Sequence, residues 1–398
     1  MKRFICIFSA FMLLVGCVKN DPVTPGWRGP KAEIAFECPV VGSLTKSAYE
    51  LTDYPDALDF RVWGYYSTGN VPVVTDDGLE GLYIDGAEFS KQGDTWASSQ
   101  GKYYWPANGN LHFLGYAPSD AAVTSADVTD RGLQLAGYTV PPTADQDLLV
   151  SQVLYAQTNQ GAGIGAPIVF DHALTSIVFK VRSGIYGDRT LEDPDRVDTD
   201  LRVTKIELLN MWNTGDFDQS MTTWDQEQEQ MTPPADPVDP EVGWTDGSGG
   251  ETYAGYDCAV AGNDGFVLTG DYQLVHDKDD AGADYTLTNL ILLPQKFSVG
   301  HNENAVLRVT YDMTHSDYAE NNGEDGELWV TGQVAEIALK DCGVLEWYRG
   351  YRYTYNITVL LNKIQCTVSL QSWAPEGYDE VEDIDIDVIP TIVDNIRE

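Results

Sequence analysis

The sequence has few of the groups from which catalytic and metal sites are built. Its 398 residues include five histidines and six cysteines, without any paired spacing among the histidines. No HExxH, GxSxG, Walker lysine or GxGxxG-before-helix pattern occurs. His172 follows Asp171 at the start of a strand pattern and is interpreted as structural. We therefore expect no enzymatic activity and no cofactor.

Calcium is the one metal whose binding the acidic composition suggests. The segments 277–282 and 321–327 are rich in Asp, Asn, Glu and Gly. The first departs from an EF-hand loop, because Ala281 and Thr288 stand where a ligand and a glutamate are needed. The second departs from it likewise. Both are interpreted as solvated turns, and no metal site is predicted.

Basic residues are scarce as well. There are 24 Lys and Arg against 62 Asp and Glu, which gives a formal net charge of −38. A surface of this sign repels phosphate backbones, so nucleic acid is excluded as a partner. The sequence also has no long apolar run: Phe4–Val15 has twelve residues, whereas a membrane-spanning helix needs about 20.

The N-terminus has the pattern of a bacterial lipoprotein signal. Lys2 and Arg3 precede the short apolar run, which ends in Leu14-Val15-Gly16-Cys17. We predict a signal peptide at 1–16, a lipidated Cys17 and a tether at 17–30 that holds the body on a membrane through its acyl chains. The alternative is an ordinary signal peptide that contains a cysteine by chance.

The remaining cysteines carry no metal-binding pattern. Cys38, Cys258, Cys342 and Cys366 form no CxxC pair. An exported location permits a disulfide such as Cys342–Cys366. We favour the alternative, small buried thiols.

Strand patterns dominate the rest of the chain. In Trp347–Leu361, the side chains of Tyr351, Tyr353, Tyr355, Ile357, Val359 and Leu361 are predicted to share one face. Short apolar runs between turn signals, without a long helical period, predict an all-β protein of sandwich type. The Gly-rich loop at 161–167 suggests β-sandwich domains at 31–165 and 166–375. The proline-rich segment Asp225–Gly250 is predicted to be a surface insertion.

The acidic tail at 376–398 carries one more strand pattern. Ile384, Ile386 and Val388 alternate with Asp385 and Asp387. The pattern fits either an edge strand of the last sheet or an arm that completes the sheet of another subunit. From the pattern alone we favour the edge strand.

Segments along the chain, taken in their order and spacing behind the N-terminal signal, resemble one known family. They are Phe60–Tyr66, Tyr103–Pro106 with Leu111–Pro118, Gln146–Val150, Phe170–Ile177 and Trp347–Tyr353. The family is that of the fimbrillins, the lipoprotein-derived (type V) pilins of Gram-negative anaerobes. The resemblance covers roughly residues 30–375 and implies two tandem transthyretin-like β-sandwich domains.

The resemblance also implies a route to assembly at the outer membrane and cell surface. In this family a trypsin-like protease cuts behind the first strand, and the vacated groove accepts a strand from the next subunit, head to tail. Here Ala32–Val40 would be the lost strand, with the cut after Lys46 or, second, after Arg28. The tail residues Ile384, Ile386 and Val388 become candidate donor-strand side chains, and the arm interpretation rises to equal weight with the edge strand.

These inferences predict a non-enzymatic fimbrial subunit or fimbria-like cell-adhesion lipoprotein. Its partners would be other fimbrial subunits, the processing protease and a surface receptor that the sequence does not identify. The alternative is a monomeric surface lipoprotein that keeps its first strand and binds glycans through aromatic loops, since 11% of the residues are aromatic.

Overall fold

The fold is built almost entirely from β-strands. The computed structural model describes residues 32–44, 49–75, 78–129, 132–159, 165–186, 197–219, 224–225, 230–231, 244–246, 252–258, 266–278, 285–287, 289–298, 301–317 and 327–372. The regular elements in these ranges are 29 strands and a 3-10 turn at Leu339–Cys342. The all-β prediction is confirmed.

The first thirteen strands come from the N-terminal half. They are β1 (Ala35–Leu44), β2 (Tyr49–Asp53), β3 (Phe60–Ser67), β4 (Val73–Thr75), β5 (Gly78–Glu80), β6 (Leu82–Gln92), β7 (Thr95–Ser98), β8 (Asn110–Ala117), β9 (Ser125–Thr129), β10 (Gly132–Thr139), β11 (Leu149–Ser151), β12 (Leu154–Gln157) and β13 (Ala166–His172).

Sixteen strands follow. They are β14 (Thr175–Ser183), β15 (Val197–Trp212), β16 (Thr214–Asp218), β17 (Trp224–Asp225), β18 (Gln230–Met231), β19 (Trp244–Asp246), β20 (Tyr253–Cys258), β21 (Phe266–Val267), β22 (Gln273–Leu274), β23 (His276–Lys278), β24 (Tyr285–Leu287), β25 (Leu290–Leu292), β26 (Val306–Asp317), β27 (Glu327–Ala338), β28 (Tyr351–Val359) and β29 (Ile364–Ser372).

Nine N-terminal strands form a sheet that closes on itself. Its order is β11-β13-β1-β7-β6-β3-β8-β12, with β2 paired to β1. β11 pairs with β8 as well, through Leu149↔Ala117 and Val150↔Tyr116. The path from β8 through β11, β13, β1, β7, β6 and β3 therefore returns to β8. We call this closed sheet the N-terminal barrel.

Alternation along the strands separates two hydrophobic cores. On β3, Phe60 and Val62 point into the N-terminal barrel, whereas Trp63 and Tyr65 belong to the core outside it. A strand with two buried faces reads as a nearly continuous apolar run. This explains the composition of Phe60–Tyr66.

A four-stranded sheet of order β19-β16-β10-β9 packs against the outside of the barrel. Trp63 and Tyr116 from the barrel share one core with Leu135, Phe217 and Trp244 from this sheet. Strands β9 and β10 precede β14 in the chain, whereas β16 and β19 follow it. Both halves of the chain thus build this sheet together.

Two five-stranded sheets enclose the C-terminal part of that core. One has the order β22-β14-β28-β29, with β25 on β14, and the other has the order β20-β15-β26-β27, with β21 on β15. The strand predicted at Tyr351 is confirmed as β28, and Tyr353, Tyr355, Ile357 and Val359 are buried. The strand ends at Val359. The prediction was wrong for Leu361, which lies 46% exposed beyond the strand end.

The prediction that Asp225–Gly250 is a surface insertion is wrong for Trp244. Trp244 is buried and its indole N–H donates a 2.7 Å hydrogen bond to the Ala173 carbonyl. Single-sequence patterns did not reveal this tryptophan because it stands alone between polar residues. The domain boundary predicted at 165 stays a prediction, and β13 (Ala166–His172) pairs with β1 in the barrel.

Candidate functional site

Strand β1 occupies an interior position in the N-terminal barrel. Its register with β13 is parallel, from Phe36↔Ala166 to Gly42↔Asp171. On its other side it pairs first with β7, through Phe36↔Trp96, and then with β2, down to Leu44↔Tyr49. Each half of β1 is therefore hydrogen-bonded on both sides. Its removal would leave unpaired N–H and C=O groups along β13 and β7.

Phe36 is the side chain by which β1 fills the barrel. It is fully buried, and its ring centroid lies 5.6, 5.0 and 5.1 Å from those of Phe60, Phe89 and Phe113, each in edge-to-face geometry. Ile34, just before the strand, is buried in the same core. The sequence predicted a first strand at Ala32–Val40, but the three partner rings of Phe36 emerged only from the fold.

The wall beside β1 contains two polar groups without partners. Tyr54 stacks on Phe170 at 5.3 Å and meets Trp96 at 6.0 Å between ring centroids. Among the atoms described, neither the Tyr54 hydroxyl nor the Trp96 indole N–H has a hydrogen-bond partner. Burial raises the pKa of the Tyr54 hydroxyl, and Asp59 adds to the effect. A buried donor without an acceptor lowers the stability of the fold. A neighbouring strand that offered an acceptor to either group would recover that stability.

The segment that leads into β1 is held at the surface of the barrel. The Ile34 N–H donates to the Tyr103 carbonyl at 2.8 Å, and the Trp105 N–H donates to the Ala32 carbonyl at 2.9 Å. Lys102 and Glu33 form an ion pair at 2.5 Å. This pair is exposed and contributes little to stability. β1 is therefore held in the barrel mainly by its pairing with β13, β7 and β2 and by the burial of Phe36.

The predicted site residues all lie outside the described residues. Cys17 and Arg28 precede residue 32, and the tail residues Ile384, Ile386 and Val388 follow residue 372. Lys46 falls in the range 45–48, between the end of β1 and the start of β2. The roles of these residues therefore stay predictions.

Two histidines, His112 and His172, have structural partners. His172 Nδ1 lies 2.6 Å from Asp147 Oδ2. His112 is fully buried; its Nδ1 accepts the Ala156 N–H at 3.1 Å, and its Nε2 lies 2.9 Å from Ser67 Oγ. Because Nδ1 is an acceptor, the ring is neutral and its proton is on Nε2. Burial lowers the pKa of His112 to about 4.

The described residues offer no cluster of three or more His, Cys, Asp or Glu side chains suited to a metal ion. Nor do they include a helix long and apolar enough to cross a membrane. The cysteines with described side chains, Cys258, Cys342 and Cys366, are buried and are not joined by a disulfide in this structure.

Comparison with known proteins gives a family match and distant structural similarities. The model of the fimbrillin-like family matches residues 60–373. Among the curated proteins compared, none matches this chain.

Solved structures resemble the chain over most of its length. A fimbrial protein from Bacteroides vulgatus is 15% identical, with a TM-score of 0.47, over 86% of this chain and 99% of that one. The tip fimbrial protein Mfa3 from Porphyromonas gingivalis, with a C-terminal truncation, is 11% identical, with a TM-score of 0.34, over 86% and 100%. Because the family model spans well over half of the sequence, the chain belongs to the fimbrillin-like family.

Proposed function

We propose that this chain is a fimbrial subunit or fimbria-like adhesin that assembles by proteolysis-triggered donor-strand exchange, with β1 as the strand that is replaced. The observation that carries the proposal is the interior position of β1, paired on both sides and filling the barrel with Phe36.

Loss of β1 would create a groove with strong affinity for another strand. The groove would have two open hydrogen-bonding edges, on β13 and β7, and an apolar floor of the Phe60, Phe89 and Phe113 rings. An incoming strand satisfies the edges with its backbone and the floor with alternate side chains. Because the donor and the groove would come from different parts of the chain, the contact would propagate into a filament.

The position of Lys46 in the chain supports it as the cut site. A trypsin-like cut between β1 and β2 separates β1 from the rest of the chain while β2 stays covalently attached. A cut after Arg28 leaves β1 in the barrel. Of the two predicted sites, only Lys46 therefore opens the groove.

The donor would be the tail at 376–398. Ile384, Ile386 and Val388 would enter the groove, and Asp385 and Asp387 would face outward. Before cutting, the precursor would be held at the outer membrane by a lipidated Cys17. The groove must leave these alternating aspartates exposed to solvent, because burying an unpaired carboxylate costs much free energy.

The test is polymerisation of the purified precursor by trypsin, read as a ladder on an unboiled detergent gel. We expect a new N-terminus at Ser47 and a ladder that is lost in Lys46→Ala, restored in Lys46→Arg and unaffected by Arg28→Ala. A chain truncated after Pro375 should be cut but not polymerise. A ladder that persists in Lys46→Ala, or in the truncated chain, would contradict the proposed cut site or donor.

A second function, glycan binding, is favoured by a specific surface. The strands β14, β22, β25, β28 and β29 contain Lys180, Arg182 and Arg352 but no Asp or Glu, in a chain with 62 acids. The Arg182 guanidinium lies 4.5 Å from the centre of the Tyr272 ring, which is 38% exposed. Arg182 and Tyr272 both hydrogen-bond Thr358, at 2.9 and 3.0 Å.

This surface offers an aromatic ring and a cation in fixed positions, which suits a carboxylated sugar. The probe is polygalacturonate, with neutral dextran as the comparison. Binding that is weakened by Arg182→Ala and by Tyr272→Ala, and unchanged by Arg308→Ala on the opposite sheet, would support this function. Arg308 is a suitable control because it already pairs with Glu336 at 2.6 Å. No binding of polygalacturonate by the wild type would reject it.

A further inference from the structure

The C-terminal core contains two thiols in contact with each other. Cys342 ends the 3-10 turn and Cys366 lies within β29; their exposed fractions are 0% and 3%. The turn at Leu339–Cys342 packs against β29, both cysteines belong to one buried core, and the Cys366 thiol neighbours the Cys342 thiol. The third described thiol, Cys258 on β20, is also buried; β20 lies in the opposite sheet.

The hydrogen bonds that these two thiols donate to main-chain carbonyls are long. The Cys342 and Cys366 Sγ atoms contact the Ala338 and Thr367 carbonyls only at 3.8 and 3.9 Å, as weak donors. Both thiols lie beside the Tyr355 hydroxyl, which already accepts the Trp347 indole N–H at 2.9 Å.

We propose that Cys342 and Cys366 are joined by a disulfide in the protein at the cell surface. Disulfides form and persist in extracellular and periplasmic compartments, and the fold has already brought these two sulfurs together. The sequence pattern alone had favoured buried thiols over a disulfide at these two positions.

The bond would fasten an edge strand. In the described residues β29 pairs with β28 alone. The link from Cys366 to Cys342 ties β29 to the turn that follows β27, and it closes the loop that contains β28. A cross-link across such a loop restricts the unfolded chain and so favours the folded one. The tail at 376–398 follows β29 in the chain, so any load on the tail would act first on β29.

The oxidant would be a protein disulfide of the exported compartment. The Cys342 thiolate attacks that disulfide, forms a mixed disulfide and releases one oxidant thiolate. The Cys366 thiolate then attacks the Cys342 sulfur, the intramolecular bond forms, and the second oxidant thiolate leaves. Two electrons pass to the oxidant, and the two thiol protons end on its sulfurs or in solvent.

Burial determines when this exchange occurs. Burial raises the pKa of the Cys366 thiol well above its ordinary range, and contact with Cys342 raises it further. The thiolate needed for exchange is therefore scarce once β29 has docked. The bond would form during folding, before the core closes.

The experiment is thiol mapping on the full-length protein isolated from its native cell surface. The protein is denatured and alkylated without reductant, then digested, and its peptides are identified by mass. We expect the peptides of Cys342 and Cys366 to be linked and to separate on reduction, while Cys258 is alkylated from the start. Alkylation of both Cys342 and Cys366 before reduction, or a link from either to another cysteine, would overturn the proposal.

A stability measurement tests the consequence. Reductant should lower the urea midpoint of the wild type and of Cys258→Ser, and should leave the midpoint of the Cys342→Ala/Cys366→Ala double variant unchanged. An unchanged wild-type midpoint in reductant, under conditions that open the bond, would overturn its stabilising role. Neither result depends on strand exchange, because the mapping is done on denatured protein and the urea midpoints are compared with and without reductant in the same variant.

Discussion

The buried imidazole of His112 should make the N-terminal barrel lose stability as the pH falls. In the folded protein its pKa is about 4, against 6.5 for the unpaired side chain. A folded-state pKa below the unfolded value means that folding favours the neutral ring. The stabilisation is therefore complete above the unfolded pKa and is lost as the pH falls from 6.5 towards 4.

The magnitude follows from the two pKa values. Their full difference corresponds to about 3 kcal/mol. Between about pH 7.5 and pH 5, linkage gives a loss of about 2 kcal/mol. The physical reason is that burial disfavours the charged ring. A protonated ring also cannot accept the partly buried Ala156 N–H.

The assay is urea unfolding at these two pH values, followed by tryptophan fluorescence and by amide exchange at Ala156. His112→Gln removes the titration, and a glutamine can still accept the Ala156 N–H and donate to Ser67. We expect this variant to lose about 2 kcal/mol less than the wild type over the same range. Equal losses in the wild type and His112→Gln would refute the reasoning.

Three further predictions concern packing. Phe36→Ala should lower the free energy of unfolding by about 3–5 kcal/mol, measured by urea unfolding, since it removes the ring that meets three phenylalanines; a loss below about 1 kcal/mol would show that β1 packs loosely. Trp244→Phe should cost about 1–3 kcal/mol by leaving the Ala173 carbonyl unpaired, and an unchanged thermal midpoint would contradict this. Gly115→Ala should reduce the yield of folded protein because its Cβ overlaps a main-chain oxygen of β3, whereas Gly69→Ala should be tolerated in open space; equal yields would contradict the close approach.

Local patterns were enough to predict where strands form. The alternation at Tyr351–Val359 predicted β28, because period-2 apolarity in aromatic and β-branched residues has few other outcomes. The same pattern did not predict where the strand stops, and Leu361 was wrongly included. A strand ends where its pairing ends. The last pair of β28 with β29 is Val359↔Ile364, and residues 360–363 form the connection between the two strands.

Topology could not be predicted from these patterns. Nothing in Leu149–Ser151 indicates that three residues close the barrel by pairing with both β13 and β8. Trp244, isolated between polar residues, gave no periodic signal and yet is buried against Ala173. Such contacts join residues far apart in sequence, and their register is set by the sum of the packing and not by any one segment.

The sequence by itself determined the all-β character and the family resemblance, because alternation and short aromatic motifs are local properties of the chain. Only the tertiary structure decided that β1 is an interior strand, that Phe36 meets three other rings, and that Cys342 and Cys366 lie in contact. The physical reason is that burial on both sides of a strand, and contact between two side chains, exist only after distant segments have paired.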